Sequence, residues 1–367
     1  MQFRKTVSLI AAAIALTACS SPTSVESTPH GYVEGATEAA EPQLQLGALS
    51  ADGTLTLIDL LDEKHKNIGT VDVATDVSTN GRYVFAANDA GVTIADSGVW
   101  TVDHEDHFHY YRAEPRIVGT VTGRGPVEVS SGTLATTVSF AGETIVLDSE
   151  RLGTGELVER SRVASDGLAA PLGETIVVAR DGELIAHDLA GVATGASHAC
   201  TEPSGTITTR VGIVFGCATG AVLYTDHFEL IAYPRATASA DRALDFDNRA
   251  GRPTVAAIAP GGYWLLDTRE REWARYNSPE LVQVAAVDDR EGHVVALAAD
   301  GRLLVFDAAG KQIATTASLG ATGQLTVDAT RAYVNTPGTI YEIDYADGAR
   351  VAREFTIDAS FVVETGR

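Results

Sequence analysis

Three of the nine histidines of this chain, His104, His107 and His109, lie within six consecutive residues, with Glu105 and Asp106 between the first two. Imidazole nitrogen and carboxylate oxygen are ligands that borderline cations such as zinc accept. The run is therefore a composition typical of a metal site. The alternative interpretation is a solvated, histidine-rich loop without a bound ion.

The spacing of the histidines limits how they can act together. An extended segment around Phe108 would place His107 and His109 on one face, about 7 Å apart along the backbone. His104 can reach that face only if the residues between it and His107 turn the chain. We therefore expect a turn followed by a short strand, which would bring the three imidazoles together.

Acidic side chains beside the histidines could complete such a site. Asp103, Glu105 or Asp106 could supply a fourth ligand, or accept a hydrogen bond that fixes a histidine tautomer. Phe108 and Tyr110 would take the opposite face of the strand and anchor the loop. The predicted metal ligands are thus His104, His107 and His109, with Asp103, Glu105 or Asp106 as a helper.

The N-terminal residues read as an export signal rather than as structure. Arg4 and Lys5 are followed by an apolar stretch, and residues 16–19, Leu-Thr-Ala-Cys, resemble the lipobox of bacterial lipoproteins. Residues 1–19 are thus predicted to be a lipoprotein signal peptide, with Cys19 lipidated and the protein held at the extracytoplasmic face of the cell membrane. An ordinary secreted protein that is cleaved nearby is the alternative.

The segment that follows the signal has little that could form a core. Residues 20–43 are rich in Ser, Thr, Pro, Glu and Ala, which predicts a flexible tether. Residues 44–367 form the folded part, and their length favours two domains or a repeat architecture.

Composition narrows the partners and the redox state. The formal net charge of -22 disfavours binding to nucleic acid or anionic lipid headgroups and favours a cationic ligand. Apart from Cys19, the chain has only Cys200 and Cys217. In an exported protein such a pair most often forms a disulfide, although two thiolate ligands are the alternative.

The body of the chain repeats a Gly, an apolar strand and an Asp six residues after the Gly. Eight copies follow one another at intervals of about forty residues, which indicates a repeated structural unit. They are Gly53 to Asp59, Gly91 to Asp96 (one residue shorter), Gly142 to Asp148, Gly182 to Asp188, Gly220 to Asp226, Gly261 to Asp267, Gly301 to Asp307 and Gly338 to Asp344. All-β repeats of this length predict a β-propeller of eight blades, with seven as the alternative.

Two features of the repeats bear on the ring and on the histidines. The first repeat has room for three strands, and an extra strand at residues 359–364 is expected to complete it by pairing the two ends of the chain. One repeat carries an insertion at 96–116, which contains the histidines. Insertions in repeat folds map to exposed loops on one face, so the histidines should be accessible.

Several segments resemble one known family. Residues 96–121, DSGVWTVDHEDHFHYYRAEPRIVGTV, resemble the signature of the AztD-type zinc metallochaperones, which are exported bacterial β-propellers. Residues 31–44, the RYVFAAN strand and the cysteine region VFGCATGAVL are also similar to that family. The resemblance implies a protein that holds zinc outside the cell and passes it to the solute-binding protein of a zinc ABC importer. It also implies His104, His107 and His109 as the ligand candidates.

The chain departs from that family at two places. Several members have a histidine-rich N-terminal loop, whereas the tether here offers only His30. His-Gly pairs at the starts of inner strands are replaced here by Asp166-Gly167 and Ser204-Gly205. If those histidines contribute to the family's site, this chain either uses Asp166 instead or binds zinc more weakly, through the histidine cluster alone.

Three functions compete at this level. The first is a zinc-binding and transfer protein, a monomer without catalytic activity, whose affinity should fall below about pH 6 because imidazole must be neutral to bind. The second is a non-metal interaction scaffold. The third is a zinc hydrolase, which lacks support from any nucleophile or phosphate-binding motif. The isolated histidines His65, His187, His198, His227 and His293 are expected to be solvated or packed side chains.

Overall fold

The protein is nearly all β-strand. The structure is a computed structural model that describes residues 33–103, 107–235, 241–320 and 324–367. Across those ranges the regular elements are strands, apart from one short helix, α1 (Ser149–Thr154). None of the helical residues in this part of the chain forms a segment long and apolar enough to cross a membrane. The prediction of an all-β fold is confirmed.

The described residues form eight four-stranded antiparallel sheets, each built from one sequence repeat. The strands of the first four sheets are β2 (Gln45–Leu49), β3 (Thr54–Asp59) and β4 (His65–Thr70) with β35 (Phe361–Thr365); β5 (Asp76–Thr79), β6 (Tyr83–Asn88), β7 (Gly91–Asp96) and β10 (Arg116–Thr122); β11 (Glu128–Ser131), β12 (Ala135–Phe140), β13 (Gly142–Asp148) and β14 (Glu159–Ser165); and β15 (Ala169–Leu172), β16 (Thr175–Arg180), β17 (Glu183–Asp188) and β18 (Ala193–Ala199).

The strands of the other four sheets are β19 (Thr206–Thr208), β20 (Ile213–Cys217), β21 (Gly220–Tyr224) and β22 (Phe228–Ala232); β23 (Leu244–Asp247), β24 (Thr254–Ala259), β25 (Gly262–Asp267) and β26 (Glu272–Asn277); β27 (Leu281–Ala286), β28 (Val294–Ala298), β29 (Leu303–Phe306) and β30 (Gln312–Thr315); and β31 (Leu325–Val327), β32 (Ala332–Thr336), β33 (Thr339–Asp344) and β34 (Arg350–Thr356). A separate three-stranded sheet consists of β1 (Thr37–Ala39), β8 (Val99–Asp103) and β9 (Phe108–Arg112), with β9 in the middle.

The repeated Gly and Asp each stabilise a turn. Gly53, between β2 and β3, has φ +85°, and a Cβ there would lie 2.1 Å from the carbonyl oxygen of Val71. Only glycine fits such a position. At the other end of the strand, the Asp59 carboxylate accepts a hydrogen bond from the backbone N–H of Leu61 at 2.9 Å, and Asp188 does the same for Ala190 at 2.9 Å. The repeat thus specifies the turns on both sides of the third strand of each sheet.

The core lies between neighbouring sheets. One cluster joins the second and third sheets through Phe85, Phe140 and their neighbours, all shielded from solvent. Another joins the seventh and eighth sheets through Val305 and Val334. Burial of these apolar faces is the main force that holds adjacent sheets together.

The first sheet combines residues from both ends of the described chain. β35 pairs antiparallel with β2, and Gly47 lies opposite Val363. Without β35, β2 would present an unpaired edge, which is a site of aggregation in β proteins.

Two sequence predictions are revised by the fold. Residues 33–43 are part of the folded unit rather than of a tether, because β1 pairs with β9 and Ala36 is buried beneath it. Residues 1–32, which include the predicted signal, Cys19 and the rest of the tether, lie outside the described residues. A helix was not expected, yet α1 forms because Asp148 caps its N-terminus and Gly155 ends it.

Cys200 and Cys217 form a disulfide. Their Cα atoms lie 5.1 Å apart, within the ordinary range for such a bond. The disulfide prediction is confirmed, and the alternative of two thiolate ligands is wrong for this oxidised pair.

Candidate metal centre

The insertion in the second sheet is a β-hairpin, and its tip carries the histidines. β8 and β9 pair with Val102 opposite His109 and Asp103 opposite Phe108. Residues 104–106 connect them and lie outside the described residues. The predicted ligands His104 and Asp106, and Glu105 between them, belong to this connection. The expected short strand is β9, and the expected turn lies outside the described residues.

His107 and His109 face each other. Their Nε2 atoms are 3.0 Å apart, and their rings meet edge to face. Two nitrogen ligands of a tetrahedral zinc ion, each about 2.0–2.1 Å from the metal, lie about 3.3 Å from one another. The pair therefore needs only a small adjustment to share one ion.

Glu38 fixes the orientation of His109. Its carboxylate Oε1 lies 2.6 Å from His109 Nδ1. If Nδ1 carries the proton and donates it to Glu38, Nε2 keeps a free lone pair directed at His107. This is the carboxylate–histidine arrangement that orients metal-binding histidines and increases their basicity.

The sequence analysis missed Glu38. It lies 71 residues before His109, in a segment that was assigned to the tether. Nothing in its own neighbourhood distinguishes it from other glutamates there. Only the pairing of β1 with β9, which places Glu38 opposite Tyr111, brings it to the histidine.

Asp103 lies apart from this pair in the hairpin sheet. It is opposite Phe108, and so it occupies the other face of the sheet from His109. That face looks toward a cavity of about 710 Å³ lined by the inner strands, and Asp103 is one of its lining residues.

The base of the hairpin is held from three directions. Arg82 lies 3.8 Å above the ring of Trp100 and binds the Asp96 carboxylate through two hydrogen bonds of 3.1 and 2.7 Å. Thr101 donates a hydrogen bond to the Gly366 carbonyl at 2.7 Å. Arg112 donates one to Asp59 at 2.5 Å. The strand that carries His109 is thus fixed to the first and second sheets.

Phe108 and Tyr110 lie on the face of the strand opposite to His109, as expected. Phe108 is 53% exposed, however, and so does not anchor the loop. Trp100 and Tyr111 do so instead, because they stack on each other and are buried together with Ala36. The ring of His109 lies nearly parallel to Tyr111, which adds support from below.

Asp166, the candidate substitute for a family histidine, lies elsewhere. It precedes β15, in a connection from the fourth strand of one sheet to the first of the next, whereas the hairpin joins third and fourth strands. In an antiparallel sheet these two kinds of connection lie at opposite ends. The Asp166 carboxylate accepts a hydrogen bond from the backbone N–H of Asp181 at 2.7 Å. It is not brought to the histidine pair.

A second group of ligand-type side chains was not expected from the sequence. Asp289, Glu291 and His293 place one ligand atom each within 4.8 Å of one another. The His293 Nδ1 lies 2.6 Å from Asp289 Oδ2, and the other oxygen of Asp289 accepts a hydrogen bond from the His293 backbone N–H at 2.9 Å. Two of the three members are thus already paired, in the turn between β27 and β28.

The sheets and the histidine pair together describe a class of protein: a β-propeller whose insertion hairpin carries two facing histidines. No protein-family model and no curated protein sequence matches the chain. Solved structures do. AztD of Citrobacter koseri is similar with a TM-score of 0.73 at 17% identity, covering 88% of this chain and 98% of that one.

Two further structures support the same fold. Apo AztD from Citrobacter koseri has a TM-score of 0.74 at 16% identity, over 88% of this chain and 99% of that one. BamB from Moraxella catarrhalis has a TM-score of 0.50 at 13% identity, over 78% and 86% of the two chains. The chain therefore has an AztD-like β-propeller fold.

Proposed function

We propose that this protein is a zinc-binding metallochaperone of the AztD type, outside the cytoplasm. One observation carries the proposal: two imidazole nitrogens lie 3.0 Å apart at the tip of a braced hairpin, and Glu38 holds the far nitrogen of one of them. The two nitrogens can bond to each other at this distance, and a small separation of the rings would let both bind one ion instead. The AztD-like fold supports the same assignment.

Zinc would bind through His107 and His109, with ligands from residues 104–106 completing the shell. His104 and Asp106 are the candidates, since both lie within three residues of His107 in the sequence. Asp103 is the weaker candidate, because it lies on the other face of the hairpin. Copper and nickel accept the same donors, so zinc is part of the proposal.

Delivery is the second part of the proposal. His107 is exposed and His109 partly so, which leaves the ion reachable by a second protein. We propose the solute-binding protein of a zinc ABC importer as the acceptor. The eight sheets would be the blades of a closed ring that mounts the hairpin, and a lipid on Cys19 would hold the monomer at the membrane.

Zinc competition titration tests the binding site. Purified protein and the double variant His107→Ala/His109→Ala compete with a chromophoric chelator for zinc. We expect the double variant to lose at least about 100-fold in affinity, because removal of a supporting partner alone costs 10- to 100-fold. His227→Ala is the matched control, since His227 also pairs with a carboxylate at 2.6 Å but is remote in sequence from the hairpin. Equal zinc affinity in all three proteins would support a non-metal scaffold instead.

A transfer assay tests delivery. Zinc-loaded protein is mixed with the metal-free solute-binding protein of a zinc importer, the two are separated, and the zinc in each is measured over time. Transfer faster than release to an equal concentration of free chelator supports a direct handover. A rate no faster than that release would leave a zinc-binding protein without a chaperone role.

A further inference from the structure

A fully buried carboxyl group lies at the interface between the first and the eighth sheet. Glu364 belongs to β35, and neither of its oxygens has a hydrogen-bond donor among the described residues. Val362, two residues earlier on the same face of β35, packs in one cluster with Leu46 of the first sheet and Tyr333 of the eighth. The side chain of Glu364 therefore faces the eighth sheet, where an ionised carboxylate without donors would be costly.

A neighbouring cation does not compensate for this burial. Arg367 Nε lies 3.1 Å from Glu364 Oε2, yet this Nε has no hydrogen-bond partner among the described residues, so its N–H is not directed at the oxygen. The Arg367 guanidinium donates instead to the Val327 carbonyl at 3.0 Å and to the Thr326 hydroxyl at 3.5 Å. An ionised Glu364 would therefore lack a directed donor.

Two other buried acids at this interface do have donors. Glu342 accepts hydrogen bonds from Arg331 at 3.2 Å and from Arg353 at 2.8 Å. Asp328 accepts hydrogen bonds at Oδ1 from the backbone N–H groups of Thr330 and Arg331, both at 2.6 Å. Donors of this kind favour the ionised form of a carboxyl group. The structure thus stabilises the charge of these two acids.

Glu364 and Asp328 approach each other closely enough for a side-chain hydrogen bond. Two ionised carboxylates cannot form one, because each offers only acceptors. A single proton on Glu364, donated to Asp328, satisfies both groups. Burial raises the pKa of Glu364 to about 8, and the negative charges of Asp328 and Glu342 add to this effect, whereas the charge of Arg367 opposes it.

The strands packed on β35 bring little further charge to Glu364. β2 and β31 contain no titratable residue, and β5 contains only Asp76, at its first position. Tyr83 of β6 packs in the cluster between the second and the third sheet, away from β35. Tyr333 of β32 stays a neutral phenol, because burial and the nearby carboxylates raise its pKa.

The end of β35 also supports the base of the hairpin. The Thr101 hydroxyl donates a hydrogen bond to the Gly366 carbonyl at 2.7 Å, and the Thr101 backbone N–H donates one to the Arg367 carbonyl at 3.4 Å. The backbone N–H of Gly366 donates to the Gly81 carbonyl of the second sheet at 2.6 Å. A displacement of this end of β35 would therefore reach β8 directly.

We propose that the proton shared by Glu364 and Asp328 is a pH-sensitive switch that holds the end of β35 against the eighth sheet. When the pH rises far enough, this proton passes to solvent and leaves two buried carboxylates that repel each other. The end of β35 then loosens, together with its hydrogen bonds to Thr101. The switch does not rest on zinc binding and operates in metal-free protein.

The sign of the pH effect follows from the raised pKa of Glu364. The folded protein keeps this proton up to about pH 8, whereas an ordinary glutamate releases it near pH 4.5. The stabilising contribution is therefore fully present below the lower value and is lost as the pH rises through the upper one. One such proton changes the unfolding equilibrium constant by at most about tenfold per pH unit.

Urea denaturation of metal-free protein at different pH values tests the switch. Glu364→Gln keeps the shape and can donate to Asp328 at every pH. We expect the unfolding equilibrium constant of the parent protein to rise at least about tenfold relative to this variant between about pH 6 and pH 9. Glu354→Gln, which alters an exposed glutamate of β34, is the control and should follow the parent. A ratio of parent to Glu364→Gln that does not change with pH would overturn the proposal.

Hydrogen exchange followed by mass spectrometry locates the effect. At about pH 9 the segments 361–367 and 99–103 should exchange faster in the parent protein than in Glu364→Gln, and at about pH 6 the two proteins should exchange alike. Residues 213–217 of the fifth sheet are the internal reference. Equal exchange of both segments at both pH values would contradict the switch. If Glu364→Gln does not fold, Asp328→Asn replaces it, because its amide can donate to an ionised Glu364 and should likewise remove the pH dependence.

Discussion

Two histidine–carboxylate pairs in this protein have the same contact distance and different surroundings. Glu38 and His109 meet at 2.6 Å at the tip of the hairpin, where their side chains are 48% and 23% exposed. Asp289 and His293 also meet at 2.6 Å, but their side chains are 17% and 9% exposed, in a turn. The distance between the two partners therefore does not distinguish a metal site from a structural pair.

The two pairs differ in the contacts of the atoms that do not join the partners, namely the second nitrogen of His109 and the second oxygen of Asp289. The second nitrogen of His109 faces another imidazole, that of His107, at 3.0 Å. At Asp289 the second oxygen is bonded to the backbone of His293, so the pair closes on itself. An open pair with a second ligand nearby can bind an ion, whereas a closed pair stabilises a turn. The surface pair of His227 and Asp226 has neither feature within the described residues.

Single substitutions at the hairpin should have the largest effect. His109→Ala removes both a ligand and the partner of Glu38, and we expect zinc affinity to fall on the order of 100-fold or more. The free energy of unfolding should change little, because the side chain lies at the partly exposed tip. Chelator competition measures the first quantity and chemical denaturation the second. A loss of stability with unchanged zinc affinity would show that His109 is a structural residue and not a zinc ligand.

The buried pair should respond in the opposite way. His293→Ala leaves the partly buried Asp289 carboxylate without its ring partner, at a cost of about 2 kcal/mol in the free energy of unfolding. Zinc affinity should stay at the parent value. Urea denaturation compares the variant with His227→Ala, whose fully exposed pair should contribute little to the free energy of unfolding. If His293→Ala lowers zinc affinity, the group that includes Glu291 is a metal site after all.

Glu38 offers a finer test of the open pair. Glu38→Gln keeps the shape of the side chain but removes its charge, so His109 loses basicity and a fixed tautomer. We expect zinc affinity to fall about 10-fold. Competition titration compares it with Glu41→Gln, a glutamate in the same segment without a described histidine contact. Equal affinities would mean that Glu38 only supports the fold.

The pH dependence of stability gives the smallest expected effect. Burial raises the pKa of Asp289, but hydrogen bonds from the ring and backbone of His293 and the attraction of its charge outweigh burial, so the pKa lies below its usual value. The carboxylate therefore contributes stability above about pH 3.9, and that contribution is lost as the pH falls through the folded-state pKa. Asp289→Asn should cost about 1 kcal/mol at pH 7 and less at pH 3. A difference in the free energy of unfolding between the parent protein and Asp289→Asn that does not shrink toward pH 3 would contradict this prediction.

Local sequence patterns predicted much of the fold and part of the site. The Gly and Asp of a repeat specify turns through their own backbone and side chain. The turns at Gly53 and Asp59 could therefore be predicted without knowing any contact distant in sequence. The facing of His107 and His109 follows from strand alternation alone. These features need no contact distant in sequence.

What could not be predicted depends on distant pairing. β1 has three residues in a polar, acidic segment, and only its hydrogen bonds to β9 make it a strand. Glu38 acquires its role through that pairing. Phe108 and Tyr110 were predicted as the anchor, and the buried pair Trp100 and Tyr111 was not, because the sequence does not tell which side chains of the hairpin pack against Ala36.

Anomalous diffraction at the zinc edge, from crystals of zinc-loaded protein, locates the bound ion. We expect a peak within about 2.1 Å of Nε2 of both His107 and His109, with Glu38 still bonded to Nδ1 of His109. A peak at Asp289 and His293 with none at the hairpin, or two histidine side chains that diverge in the presence of zinc, would contradict it.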